Sequence, residues 1–194
     1  NLPDTDFHVP ALGPNDLAAL DVACEVGDLV AQSFCRSSAD LAALHEALQA
    51  RHAKLGVVLK VENRKGFENL SSLLLTAMRR PPFGVMIARG DLAVECGFAR
   101  LAEVQEEMLC LCEAAHAPVI WATQVLDTAA RKGFPSRAEV TDAAVGERAE
   151  CVMLNKGPYV LQAVRTLDDI LRRMQSHQRK KTPLLRRLKS LGLD

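Results

Sequence analysis

Gly56-Val57-Val58-Leu59-Lys60-Val61-Glu62-Asn63 is the stretch on which the fold turns. Its apolar, β-branched start has the form of a strand buried on both faces, and it closes on three polar residues. The two-residue period of a strand sends Lys60 and Glu62 to the same face. The pattern recurs on both sides. Runs at 28–34, 83–88, 118–122 and 151–154 close on Gln32-Ser33, on Arg89 with Asp91, on Thr123-Gln124 and on Asn155-Lys156. Marked by Leu29, Val57, Val85, Val119 and Val152, the strands recur every 28 to 34 residues, the length of a strand-helix-strand step.

Amphipathic segments at 40–52, 67–80, 99–116, 137–148 and 159–178 fill the intervals. Leu101, Val104, Met108, Leu111 and Cys112 form the apolar stripe of the third helix. Ser136-Arg137-Ala138-Glu139 has the form of a capping box that starts the fourth. Buried strands alternating with helices make an α/β fold with a parallel sheet. A doubly wound sheet gathers its site at one switch point, whereas a barrel collects polar groups from the end of every strand. Five successive strands with polar ends therefore predict part of a TIM (β/α)8 barrel, five parallel strand-helix units of the eight that a closed barrel has. The expected organisation is a barrel portion at 1–178 and a basic tail at 179–194. Residues 172–189 hold eight Lys or Arg and no acid, and Leu184, Leu185, Leu188 and Leu191 recur at helical spacing.

Two carboxylates, Glu62 and Asp91, beside the ammonium of Lys60 suggest a hard divalent cation. Magnesium is commonly held by one or two carboxylates, with water and substrate oxygens completing the octahedron. Gly90 allows the backbone to approach a ligand closely. A lone Lys-x-Glu or Arg-Gly-Asp is ordinary on an exposed strand or turn; the two at adjacent strand ends are more specific. Thr123 is equally readable as a satisfied core hydroxyl. The five histidines lack metal-ligand spacing.

The bulk properties narrow the function class. A formal net charge of zero gives no global grip on nucleic acid, and no apolar run approaches the roughly 20 residues of a membrane span. Six cysteines without a CxxC pair, and a start at Asn1-Leu2-Pro3 without signal-peptide character, suit a reducing, cytoplasmic setting and a piece of a longer chain.

The ordered set Lys60-Val61-Glu62-Asn63, Gly84-Val85-Met86-Ile87-Ala88-Arg89-Gly90-Asp91-Leu92-Ala93-Val94-Glu95, Pro118-Val119-Ile120-Trp121-Ala122-Thr123-Gln124, Pro135-Ser136-Arg137-Ala138-Glu139 and Cys151-Val152-Met153-Leu154 resembles the pyruvate kinase family, over roughly residues 2–175. The resemblance implies that the five strands are the fourth to eighth of the barrel. Glu62 and Asp91 would then ligate Mg2+ or Mn2+, and Lys60 would stabilise phosphoryl transfer and the enolate. The backbone of Ala88, Arg89, Gly90 and Asp91 would receive the substrate carboxylate, and Thr123 would lie beside the enolpyruvate carbon. The implied reaction converts phosphoenolpyruvate and ADP to pyruvate and ATP, in a homo-oligomer. Potassium- and nucleotide-contacting residues of the family fall on the first three strands, in an N-terminal barrel half outside this chain, so the chain alone is expected to be inactive. Asn155-Lys156-Gly157-Pro158 departs from the family's Ser-Gly-Glu-Thr-Ala, and Ala93 stands where Gly is common. Two alternatives stay open: a magnesium-enolate lyase, and a non-catalytic relative with a binding or regulatory role.

Overall fold

The structure, a computed structural model, describes residues 9–175, in two compact units divided after Pro118. The basic tail at 179–194 lies outside the described residues.

The first unit runs α1 (Pro14–Val26), β1 (Leu29–Gln32), α2 (Ser38–Ala50), β2 (Gly56–Val61), α3 (Arg64–Glu68), α4 (Leu70–Ala77), β3 (Phe83–Ala88), α5 (Arg89–Cys96), a 3-10 turn at Phe98–Arg100 and α6 (Leu101–Ala114). β1 pairs in parallel with β2, Leu29 opposite Gly56 and Gln32 opposite Leu59. β2 pairs in parallel with β3, Val57 opposite Phe83 and Val61 opposite Ile87. Val57, Leu59, Val61, Val85 and Ile87 are fully buried, as are Leu41, Leu48, Leu70, Leu73, Val104, Met108 and Cys112 of the helices. β2 is therefore the central strand, as its continuous apolar run predicts.

The second unit contains β4 (Val119–Val125), α7 (Asp127–Lys132), α8 (Arg137–Val145), a 3-10 turn at Gly146–Arg148, β5 (Cys151–Leu154) and α9 (Val160–Met174). β4 and β5 are parallel, with Trp121 opposite Val152 and an irregularity before Val125. Trp121, Ala122, Val125, Leu126, Ala130 and Ala163 form its core.

Both units are thus parallel α/β, and several element bounds need correction. The helix expected at 67–80 is two. Asn69 leaves the helical path at φ −94°, ψ 7°, and its Nδ2 donates to the Arg36 carbonyl at 2.8 Å. Helix α1 was not foreseen because its inward face is weak, with Leu20 its one buried residue. Its start is nevertheless marked by Pro14 in the first turn and by Asp16, whose carboxylate accepts from the Gly13 amide at 2.8 Å. β1 stops at Gln32 instead of Phe34, because Phe34 turns to φ +51°. β4 runs on to Val125, past the expected end at residue 122.

The capping box at Ser136 forms as its spacing predicts. Ser136 Oγ accepts from the Glu139 amide at 3.2 Å, and Glu139 Oε2 accepts from the Ser136 amide at 2.7 Å. Glu139 Oε1 also takes the Thr128 amide. Burial pushes the Glu139 carboxyl up, but its bonds to Ser136 and Thr128 outweigh that and hold it below its ordinary value of 4.5. A depressed carboxyl stabilises the fold above the unfolded-state value, and that stability is lost as pH falls through the folded one. Glu139→Gln is accordingly expected to cost about 1 kcal/mol in urea unfolding at pH 7 and much less at pH 3. An equal cost at both pH values would show that the carboxylate charge is not what stabilises.

No helix among the described residues is long and apolar enough to cross a membrane. None of the six cysteines is in a disulfide. Burial pushes the Cys35 thiol up to about 12, which leaves it without thiolate chemistry at neutral pH.

Candidate active site

The C-terminal ends of β1, β2 and β3 carry the polar groups of the first unit. Leu59 and Val61 point into the core, so Lys60 between them faces the other way with its ammonium partly open to solvent. Its Nζ lies 2.9 Å from Glu62 Oε1 and donates to Ser33 Oγ at 2.7 Å. Glu62 is 4% exposed, and its Oε2 accepts the Phe34 amide at 2.7 Å. Lys60 and Glu62 therefore meet as the strand period requires. Ser33 and the Phe34 amide, from the turn after β1, complete the cluster.

Ser33 was visible in the sequence only as one polar residue at a strand end. The Phe34 amide had no signal at all, since its direction depends on the left-handed backbone at that residue. Asn63 has a structural role: its Oδ1 caps α3 by accepting the Gly66 amide at 2.7 Å.

β3 passes into α5 without a loop, Ala88 ending the strand and Arg89 opening the helix. The amides of Arg89, Gly90 and Asp91 thus form the first helical turn, where amides lack intrahelical acceptors, and Ala88 has no side-chain oxygen to cap them. Such a turn is suited to a carboxylate or phosphate. Asp91 lies in that turn, partly exposed, and Arg89 is buried. The neighbouring Arg64 donates to the Glu95 carbonyl through Nε at 3.3 Å and through its terminal nitrogen at 3.0 Å. A cavity of about 1000 Å³ beside β1 is lined in part by Ser33, Phe34, Asn63 and Arg64. Its lining does not include Lys60, Glu62 or Asp91, so these groups sit beside it and not within it.

Carboxylate oxygens are hard donors of the type that magnesium takes. Each Glu62 oxygen has one hydrogen-bond or ion-pair contact and so retains a lone pair, while Asp91 is a carboxylate in the first turn of α5. No group of three or more His, Cys, Asp or Glu that could hold a metal exists among the described residues.

Thr123 belongs to the second unit, near the end of β4. It has φ +75°, followed by Gln124 at +60° and Leu126 at +48°. A left-handed β-branched residue is rare, and such strain is retained where surrounding structure holds it, commonly at functional sites. Gln124 is exposed. Gln124→Gly should therefore relieve strain without removing packing, raising stability by about 0.5–1 kcal/mol, read as an increase in melting temperature. A decrease would mean that the Gln124 side chain itself supports the turn. In the 155–158 loop, Asn155 Nδ2 donates to Asp127, and Gly157 lies so close to the Ala130 carbonyl that a Cβ would overlap it. The altered loop is thus packed on α7.

The family model described as the pyruvate kinase barrel domain matches residues 1–164. The chain belongs to the pyruvate kinase family. Pyruvate kinase of Hypocrea jecorina is 35% identical over 176 residues, covering 87% of this chain and 32% of that protein. Pyruvate kinase of Kluyveromyces lactis is 36% identical over 174 residues, with 86% and 34% covered. Pyruvate kinase 2 of Saccharomyces cerevisiae is 37% identical over 171 residues, with 84% and 33% covered. The chain spans about a third of the length of these pyruvate kinases.

Proposed function

We propose that this chain supplies the metal- and substrate-binding part of a phosphotransferase that converts phosphoenolpyruvate and ADP to pyruvate and ATP. The observation that carries the reading is the Lys60–Glu62 pair at the end of β2, beside a strand that opens directly into the α5 first turn. Glu62 and Asp91 would hold Mg2+ or Mn2+, which when bound supplies Lewis-acid charge to phosphoryl and enolate oxygens. Lys60 brings a fixed positive charge to the phosphoryl group in transfer and to the enolate oxygen. The amides of Arg89, Gly90 and Asp91, with Ala88 before them, would take the substrate carboxylate at the helix N-terminus. By the family resemblance, Thr123 would lie beside the enolpyruvate carbon that is protonated.

On this reading the five strands correspond to the fourth to eighth of the barrel, and residues 1–178 form the C-terminal part of the barrel domain. Potassium- and nucleotide-contacting groups come from an N-terminal half, within a cytoplasmic homo-oligomer.

Metal binding is tested on the chain itself by titrating Mn2+ and following its paramagnetic resonance signal. Glu62→Gln and Asp91→Asn are each expected to weaken binding at least about tenfold; unchanged affinity in both would remove the assigned site. A coupled pyruvate assay on the longest product of the gene that carries the chain tests the reaction. Pyruvate formed from phosphoenolpyruvate only with ADP supports the phosphotransferase, and pyruvate formed without it points to enolate chemistry of another kind.

A further inference from the structure

We infer that Ser33 is a positioning residue for Lys60, giving its ammonium a second acceptor besides Glu62. The inference extends the proposed function, because a cation held on the remaining lone pairs of Glu62 would repel the ammonium and weaken its pairing with that carboxylate.

The geometry places two acceptors on one ammonium, Glu62 Oε1 at 2.9 Å and Ser33 Oγ at 2.7 Å. They come from different strands. β1 and β2 pair with Gln32 opposite Leu59, so Ser33 follows opposite Lys60, and the hydroxyl reaches across from the neighbouring strand end. The turn that carries Ser33 is held on both sides. The Phe34 amide is bound by Glu62 Oε2 at 2.7 Å, and the amides of Arg36 and Ser37 donate to Asp40 Oδ2 at 2.9 and 3.1 Å. The Arg36 carbonyl accepts from Asn69 at 2.8 Å. Ser33 is therefore preorganised by contacts that do not involve Lys60. When the carboxylate is engaged elsewhere, a long flexible lysine without a second acceptor would swing to water and lose its position. With Ser33 in place, one charge-assisted hydrogen bond remains.

Glu62→Gln imitates a carboxylate withdrawn from the lysine and allows a test without metal. The readout is the 1H–15N cross-peak of the Lys60 ammonium in the isotopically labelled chain, assigned by its loss in Lys60→Met. The peak should survive in Glu62→Gln and in Ser33→Ala, each with one acceptor left. In Ser33→Ala/Glu62→Gln the ammonium protons should exchange roughly fivefold faster or the peak should vanish, since the last acceptor is gone. Ser33→Thr, which keeps the hydroxyl, should restore it in the Glu62→Gln background. Backbone amide spectra that overlay away from the turn show that each variant is folded.

Equal exchange in Glu62→Gln with and without Ser33→Ala overturns the inference, as does loss of the peak in Glu62→Gln alone. In the longer enzyme, Ser33→Ala is expected to lower kcat several-fold with little change in KM for phosphoenolpyruvate, because binding through the α5 amides is untouched. A change confined to KM also overturns it. The ammonium measurement needs no metal, so failure of Mn2+ binding would remove the metal site while leaving the Ser33 tether standing.

Discussion

Lys60→Met is expected to lower phosphoryl transfer at least about a thousandfold in the enzyme that carries this chain, and to destabilise the chain itself. The first effect follows from removing the one fixed positive charge assigned to the transferred group, a loss of the size seen when a cation is withdrawn from a phosphoryl-transfer site. The second follows from burial. In the Lys60–Glu62 pair the lysine side chain is 24% exposed and the glutamate 6%. Deleting the lysine leaves a nearly buried carboxylate with the Phe34 amide as its remaining described hydrogen bond, at a cost of about 1–3 kcal/mol. Deleting the glutamate charge is milder. In Glu62→Gln the amide oxygen can still accept from Phe34, and the lysine can turn to Ser33 and water, so a cost under about 1 kcal/mol is expected. Urea unfolding of the chain should thus rank wild type above Glu62→Gln above Lys60→Met. The reverse order of the two variants would show that the carboxylate is better solvated than its burial implies. Full turnover in Lys60→Met would remove the phosphotransferase reading.

How far the sequence revealed this arrangement depends on what kind of interaction made each part. β2 was legible because a strand buried on both faces has to be apolar throughout, and Lys60 and Glu62 were legible because only a two-residue period separates them. The capping box at Ser136 was legible because both of its bonds span three residues. Features made by contacts distant in sequence were not. The break at Asn69 interrupts a continuous apolar pattern and rests on a bond to Arg36, 33 residues away. The left-handed run at Thr123 and Gln124 lies in residue types that ordinarily avoid it, so no propensity could announce it. Ser33 carries one hydroxyl on an exposed turn, and its bond to Lys60 spans 27 residues. The candidate site is thus half local pattern, from β2 and the start of α5, and half tertiary placement, from the turn after β1.

The same dependence makes Gly66→Ala the most damaging small substitution expected near the site. Gly66 sits in the first turns of α3, buried, with its amide held by Asn63 Oδ1 at 2.7 Å. A Cβ there would lie 2.6 Å from the Cys35 carbonyl oxygen and 3.2 Å from Asn63 Oδ1. Neither neighbour can yield cheaply: one is backbone, and the other is the cap that starts the helix. Relief requires the turn at residues 33–36 to move away from α3, and that turn carries both Ser33 and the Phe34 amide. A stability loss of about 2–4 kcal/mol is expected, read as a lower urea midpoint. The Lys60 ammonium peak should also broaden or vanish, although every group that bonds to it is still present. Alanine's better helix propensity works in the opposite direction by only about 1 kcal/mol, too little to reverse the sign. If Gly66→Ala were as stable as wild type with an unchanged Lys60 signal, the close approach of α3 to the β1 turn would be wrong, and with it the idea that this contact aligns the two ends of the cluster.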